Sequence, residues 1–149
     1  MDKTEQMLYR YGDLKKRIAE YHLEISAQYE ERDSFLHGQL TPPPMDNVKV
    51  QGGILSDPVY RSVRVMVDVY DERIIRLQEQ LRELYYEHDE IKRAIDGAGL
   101  TDQERDYLQM RYVDRMSTVD VADRQGYSES HARNIKRNLL RKIGGKDVS

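Results

Sequence analysis

Basic side chains are concentrated near the end of the chain, in the segment GYSESHARNIKRNLLRK, residues 126–142. Five basic residues stand there against one acidic residue, Glu129, although the whole chain has a formal net charge of −3. The basic residues are Arg133, Lys136, Arg137, Arg141 and Lys142. Arginine and lysine neutralise nucleic-acid phosphates, and this neutralisation dominates protein–DNA affinity. The segment is therefore a candidate nucleic-acid-binding element.

The residues around this segment have the spacing of a helix-turn-helix. They predict one helix over residues 118–125 and a last helix over residues 129–143. Ala122 has no bulk to keep the two helices apart, and Gly126 accepts the positive φ of a tight turn. Ser128 is placed to cap the last helix. This last helix is the predicted recognition helix.

One side of the predicted recognition helix is apolar and the other is polar. Ala132, Ile135 and Leu139 are expected to face the core. Ser130 and Asn134 then lie one turn apart on the face that a DNA groove would meet. Polar side chains in that position read base edges, and basic side chains beside them bind phosphates. The candidate DNA-binding residues of this helix and its cap are Ser128, Glu129, Ser130, Arg133, Asn134, Lys136, Arg137 and Arg141.

Two long amphipathic helices are predicted before this motif. From Met7 to Ile25, apolar and tyrosine residues follow the alternating four- and three-residue spacing of a heptad seam, which predicts a helix over residues 4–35. A connector over residues 37–58 contains four prolines and three glycines and has no periodicity. A second stripe, over residues 59–95, repeats every three or four residues and predicts a helix of nearly forty residues. The two seams are able to pair antiparallel within one chain or between two chains of a homodimer, and the sequence leaves both open.

A second domain is predicted to start at the segment DGAG, residues 96–99, whose glycines suit the end of a helix. In LTDQER, Thr101 and Glu104 have the spacing of a capping box. The side chains expected in the core of this domain are Tyr107, Leu108 and Tyr112.

The predicted fold class is all-α. Residues 1–98 are expected to form a long, coiled-coil-like antiparallel helical hairpin that includes the connector. Residues 99–149 are expected to form a small helix-turn-helix domain that binds DNA.

Residues 100–143, LTDQERDYLQMRYVDRMSTVDVADRQGYSESHARNIKRNLLRKI, resemble region 4 of bacterial sigma-70-family factors, which reads the promoter −35 element. The resemblance rests on the leading LT..ER..L.MRY, the VDVADRQGYSES turn and the closing R.I.R..LRKI. It implies that Ser130 and Asn134 read base edges. It also implies that Arg133 and Arg137 bind phosphates, with Arg124 as a further phosphate contact.

The chain departs from the sigma-factor pattern at Glu129, where those factors commonly have a basic residue. As the first residue of the recognition helix, Glu129 is favoured by the helix dipole. In a DNA groove, the same carboxylate is repelled by phosphates unless it accepts a hydrogen bond from a cytosine N4 amino group. The usual −35 sequence therefore does not follow from the resemblance.

The arrangement of the whole chain resembles phage-encoded late-gene activators of the RinA and ArpU type, which switch on packaging and structural operons. The resemblance rests on the Tyr-rich first helix, the Pro-rich connector and the long second helix before the sigma-like module. It implies a transcriptional activator in the cytoplasm of a bacterial host, with double-stranded DNA and bacterial RNA polymerase as partners. Two other functions stay open: a phage small terminase subunit, and a sigma-like module that holds RNA polymerase without DNA.

The composition argues against several other classes of protein. The chain has no cysteine, which excludes disulfides, thiolate metal sites and thiol catalysis. No apolar run approaches the ~20 residues that a membrane span needs, and the polar start MDKTEQ lacks the apolar core of a signal peptide. The four histidines are too dispersed for metal-ligand spacing. We expect no enzymatic activity, no cofactor and no metal.

Overall fold

The computed structural model describes residues 2–40 and 57–145, and over these residues it contains helices and no strand. The α-helices are α1 (Lys3–Leu40), α2 (Asp57–Asp96), α3 (Asp102–Leu108), α4 (Thr118–Gln125) and α5 (Glu129–Gly144). A π-helical segment, Gln109–Val113, directly follows α3. The predicted all-α fold class, with two long helices before a small helical domain, is confirmed. Within the described ranges, no helix combines the length and the apolar character needed to cross a membrane.

Helix α1 is longer than the sequence analysis predicts. It ends at Leu40, so the first residues of the predicted connector belong to its last turn. In the sequence, the run of prolines that starts at Pro42 follows this turn, and the residue before a proline is disfavoured in helical conformation. The rest of the connector, residues 41–56, lies outside the described residues, and α2 begins at Asp57.

Packing divides the chain into two compact units. The first unit is Met1–Ala19 together with Glu83–Ser149, and the second unit is Glu20–Arg82. Both ends of the chain therefore belong to the first unit, and the middle of the chain forms the second.

In the second unit, α1 and α2 pair antiparallel within one chain, as predicted for a hairpin. The Tyr21 hydroxyl donates a hydrogen bond to Oε1 of Gln80 at 3.2 Å, and the Arg32 guanidinium forms an ion pair with Asp71 at 2.7 Å. The α1 seam thus continues through the half-buried Arg32, whereas Tyr29 is 37% exposed. Because the seam turns polar there, an ion pair takes the place of an apolar contact.

The first unit has one continuous hydrophobic core that includes residues from both ends of the chain. Helices α1 and α2 are in contact here too, since Arg10 donates two hydrogen bonds of 2.8 Å to the carboxylate of Glu87. The buried core residues are Leu8, Tyr11, Leu14, Ile91, Ile95, Leu100, Tyr107, Leu108, Tyr112, Val121, Ala122, Ala132, Ile135 and Leu139. The small domain predicted over residues 99–149 therefore shares its core with α1 and α2.

Gly12 allows α1 to lie directly against the π-helical segment. It is buried, and a Cβ added to it would collide with the carbonyl oxygen of Tyr112. The obstacle is backbone, which a side-chain rotation does not relieve. The distance between α1 and the π-helical segment is therefore set by the absence of a side chain at this position.

We expect Gly12→Ala to lower the free energy of unfolding by about 1–3 kcal/mol, because the added methyl group overpacks a backbone contact. Gly38→Ala is the matched control, since nothing lies within 4 Å of a Cβ added in that exposed turn of the same helix. The control should be neutral or stabilise the helix by about 0.5–1 kcal/mol. Urea unfolding followed by circular dichroism measures both. Equal effects of the two substitutions would contradict the assigned contact.

Candidate nucleic-acid interface

The helix-turn-helix is formed by α4, a tight turn and α5, with the bounds that the sequence predicts for α4. Gly126 ends α4 in the left-handed conformation, at φ 75° and ψ 29°. The Ser117 hydroxyl accepts a hydrogen bond from the backbone N–H of Asp120 at 3.1 Å. The Ser128 hydroxyl accepts one from His131 N–H at 3.1 Å. The predicted turn glycine and the predicted Ser128 cap are confirmed.

The apolar side of α5 packs on α4 and on the common core. Ala122 of α4 is 1% exposed, and Ala132 and Ile135 of α5 are 3% and 5% exposed. A small side chain at Ala122 lets the two helices approach closely, as predicted. Because successive residues turn by about 100° around a helix, burying this side of α5 determines which residues lie on its opposite side.

The opposite side of α5 is polar and basic. Its exposed residues include Ser130, Arg133, Asn134, Arg137 and Arg141. Two of the arginines make weak contacts with their own helix: Arg133 Nε donates to the carbonyl oxygen of Glu129 at 3.4 Å, and Arg141 donates to the Asn138 side-chain oxygen at 3.3 Å. Such long, solvent-exposed hydrogen bonds are readily exchanged for phosphate contacts. The remaining candidates, Arg124, Ser128 and Glu129, are also exposed.

Two of the five basic residues near the chain end lie on the flanks of α5 next to the core. Lys136, a predicted DNA contact, pairs with Glu5 of α1 at 3.3 Å. Lys142 pairs with Glu104 of α3 at 2.5 Å. The positive charge of the segment is thus divided between an outward arginine face and two lysines paired with carboxylates. Sequence spacing did not identify these partners, since both are distant along the chain.

Glu104 connects the start of α3 with the end of α5. Its side chain is 6% exposed, and it accepts a 2.9 Å hydrogen bond from the Thr101 backbone N–H, while the Thr101 hydroxyl accepts one of 3.2 Å from Glu104 N–H. This reciprocal pair is the predicted capping box, which is confirmed. Burial by itself would raise the pKa of Glu104, but the hydrogen bonds from Lys142 and Thr101 together hold it below its ordinary value. The buried carboxylate is therefore kept ionised.

Two arginines hold the segment that leads into α4. Arg111 donates a 3.0 Å hydrogen bond to the carbonyl oxygen of Met116, and Arg115 pairs with Asp13 of α1 at 2.7 Å. The two guanidinium groups lie 5.6 Å and 4.5 Å from the centre of the Tyr9 ring, within the range of cation–π attraction. Arg115 has a φ of 59°, an uncommon backbone conformation for a residue with a side chain. The sequence predicts only a short turn here and gives no local signal for these contacts.

Helices α4 and α5 have the features of a DNA-binding helix-turn-helix. Its recognition helix is capped, packed on one side and basic on the other, which is the geometry that enters a major groove. Among the described residues, no group of three or more histidine, aspartate or glutamate side chains is placed to hold a metal ion.

Residues 98–143 match the family model for sigma-70, region 4. The match covers about a third of the chain and includes α3, α4 and nearly all of α5. These residues form a sigma-70 region 4-like helix-turn-helix, a domain class that binds DNA in the regulation of transcription. No curated protein and no solved structure compared with the chain matches it.

We expect Glu104→Gln to lower the free energy of unfolding at pH 7 by about 1–2 kcal/mol, since it removes the charge that pairs with Lys142. The folded-state pKa of Glu104 is lowered, so its stabilisation is present above the unfolded pKa and is lost as the pH falls through the folded pKa. The difference in the free energy of unfolding between the wild-type chain and Glu104→Gln should therefore become smaller below about pH 4.

Glu90→Gln is the matched control for Glu104→Gln, because Glu90 is an exposed residue of α2. It should change stability little at any pH. Urea unfolding at pH 7 and at pH 3 makes the comparison. A deficit of Glu104→Gln that is the same at both pH values would show that its charge is not the source of the stabilisation.

Proposed function

We propose that the chain is a sequence-specific DNA-binding regulator of transcription, encoded by a phage, that activates late genes together with the RNA polymerase of its bacterial host. The observation that carries the proposal is the outward face of α5, where three exposed arginines flank Ser130 and Asn134. The match of residues 98–143 to sigma-70, region 4 supports the DNA-binding and regulatory part of the proposal. In this role the chain needs no catalytic step, cofactor or metal.

In the proposed complex, α5 lies in the major groove of duplex DNA. The groove is about 12 Å wide and admits an α-helix. Asn134 is exposed one turn after Ser130, and an asparagine at such a position is able to form two hydrogen bonds with adenine N6 and N7. Serine is able to donate to, or accept from, any base edge, so Ser130 makes the less selective contact.

Phosphate contacts come from the arginines beside the base-reading residues. Arg133, Arg137 and Arg141 are exposed on α5, and Arg124 is exposed in the last turn of α4. Each neutralised phosphate releases counterions, so these contacts raise affinity for all sequences and make it salt-dependent. Ser128, as the cap, holds the first turn of α5 at the groove.

The long helices are assigned to partner binding rather than to DNA. Their heptad seams pair within one chain, as the contact of Tyr21 with Gln80 illustrates. A homodimer or a complex with RNA polymerase would therefore use the outer faces of α1 and α2. Activation of transcription would require contact with RNA polymerase, and we assign this contact to α1 and α2.

Two kinds of substitution should separate phosphate contacts from base contacts. We expect Arg137→Ala to weaken binding to every duplex sequence and to reduce the slope of log affinity against log salt by about 0.9. Asn134→Ala should cost about 1–3 kcal/mol on the preferred site and little on random DNA. Lys16→Ala, in an exposed part of α1, is the control and should change neither quantity.

Fluorescence anisotropy with labelled duplexes at several salt concentrations measures these effects. Equal losses on preferred and random DNA for Arg137→Ala and Asn134→Ala would refute the assigned division. A ring-shaped oligomer of the full chain would favour the terminase function instead. Binding to RNA polymerase without any binding to DNA would favour the module that only holds polymerase.

Glu129 is expected to contribute to selectivity because its carboxylate is repelled by phosphates wherever no cytosine N4 amino group donates a hydrogen bond to it. Glu129→Arg should raise the affinity for random DNA and relax the preference at one base pair of the site. Glu129→Gln should lose selectivity with a smaller gain in affinity. Binding to single-base variants of the site provides the measurement. An unchanged preference at every position for both variants would leave Glu129 with only its role at the start of the helix.

A further inference from the structure

The first turns of α1 cover one flank of the recognition helix. Thr4 lies so close to Gly144, at the end of α5, that a Cβ added to this glycine would collide with the Thr4 side chain. One turn later, Leu8 is fully buried in the same core as Ile135 and Leu139 of α5. These α1 residues lie outside residues 98–143, which match sigma-70, region 4. The first turns of α1 therefore pack against the sigma-like module, although they lie outside the residues that match the family.

An ion pair links the first turns of α1 to the middle of α5. Glu5 has a side chain that is 13% exposed, and it lies 3.3 Å from Nζ of Lys136, whose side chain is 32% exposed. Lys136 is placed between the outward-facing Arg133 and Arg137 in sequence, but on the flank that turns towards α1. Its charge is compensated within the protein and is not presented with the arginines.

We infer that Glu5 is a positioning residue for DNA recognition, because its ion pair with Lys136 restrains the small rotation of α5 about its own axis that the buried side chains still allow. The inference rests on the proposed function. The buried apolar side chains of α5 determine which side of the helix faces the core. The ion pair of Lys136 with Glu5, at 3.3 Å, adds a contact on the flank between α5 and α1. Base-edge hydrogen bonds weaken steeply with misalignment, so the rotation of α5 sets how well Asn134 reads its base.

The other role open to Lys136 is a direct phosphate contact. Lys136 lines a cleft together with Thr118, at the start of α4, and Arg133, and a DNA strand beside this cleft would lie near its side chain. The two roles differ in salt dependence. A lysine that neutralises a phosphate contributes about 0.9 to the salt slope, and a lysine that stays paired with Glu5 contributes none.

Three variants of the full chain test the inference: Glu5→Gln, Lys136→Met and the double variant. We expect each single substitution to lower the ratio of affinities for preferred and random DNA by roughly two- to fivefold, the range of a partly exposed ion pair. Lys136→Met should leave the salt slope on random DNA unchanged. The double variant should lose no more selectivity than Lys136→Met does, because both substitutions break the same contact.

Lys16→Met is the matched control on α1 and should change neither the ratio nor the slope. Lys136→Gln, which keeps a polar side chain, replaces Lys136→Met if circular dichroism shows that the methionine variant is unfolded. A salt slope reduced by about 0.9 in Lys136→Met, with an unchanged ratio in Glu5→Gln, would overturn the inference and leave the proposed function intact. Equal affinity of the wild-type chain for all duplex sequences would overturn both.

Discussion

The burial of the apolar side of α5 is the constraint on which the rest of the molecule depends. Ala132, Ile135 and Leu139 are almost fully enclosed, so α5 has little freedom to turn about its axis. Because the helix repeats every 3.6 residues, this burial sends Asn134 and Arg137 to the exposed side. The outward position of the polar and basic face of α5 is thus a consequence of core packing, and a change that loosens the core is expected to displace that face.

The core that encloses α5 is assembled from distant parts of the chain. Helix α1 contributes Leu8, Tyr11 and Leu14, and Gly12 brings its backbone against the π-helical segment. Near the end of α5, Glu104 and Lys142 add a partly buried ion pair. Since these contacts connect elements far apart in sequence, the packing of the helix-turn-helix depends on the N-terminal helix. In the proposed function, the same contacts would link the DNA-binding helix to the long helices that we assign to partner binding.

Much of this architecture could be predicted because its signals are local. The bounds of α4, the capping box at Thr101 and the left-handed Gly126 follow from the chemistry of residues within one or two turns. The seams of α1 and α2 follow from periodicity, which also placed Ile25 and Ile74 in the buried set. The outward position of the α5 arginines follows from the same geometry.

The features that were not predicted depend on distant partners or on backbone detail. The ion pair of Lys136 was not predicted, because its partner Glu5 is far away along the chain. The π-helical segment requires hydrogen bonds one residue longer than those of an α-helix, and no residue pattern specifies them. The role of Arg32 in the seam depends on Asp71 of α2.

The measurement that tests the central claim most directly is selection of bound sequences from a random pool of duplex DNA, with the full chain and with Asn134→Ala. The account predicts that the wild-type chain enriches one motif and that Asn134→Ala loses the preference at one base pair within it. Enrichment of no motif by the wild-type chain, or the same motif for both proteins, would contradict the assignment of the α5 face to DNA reading.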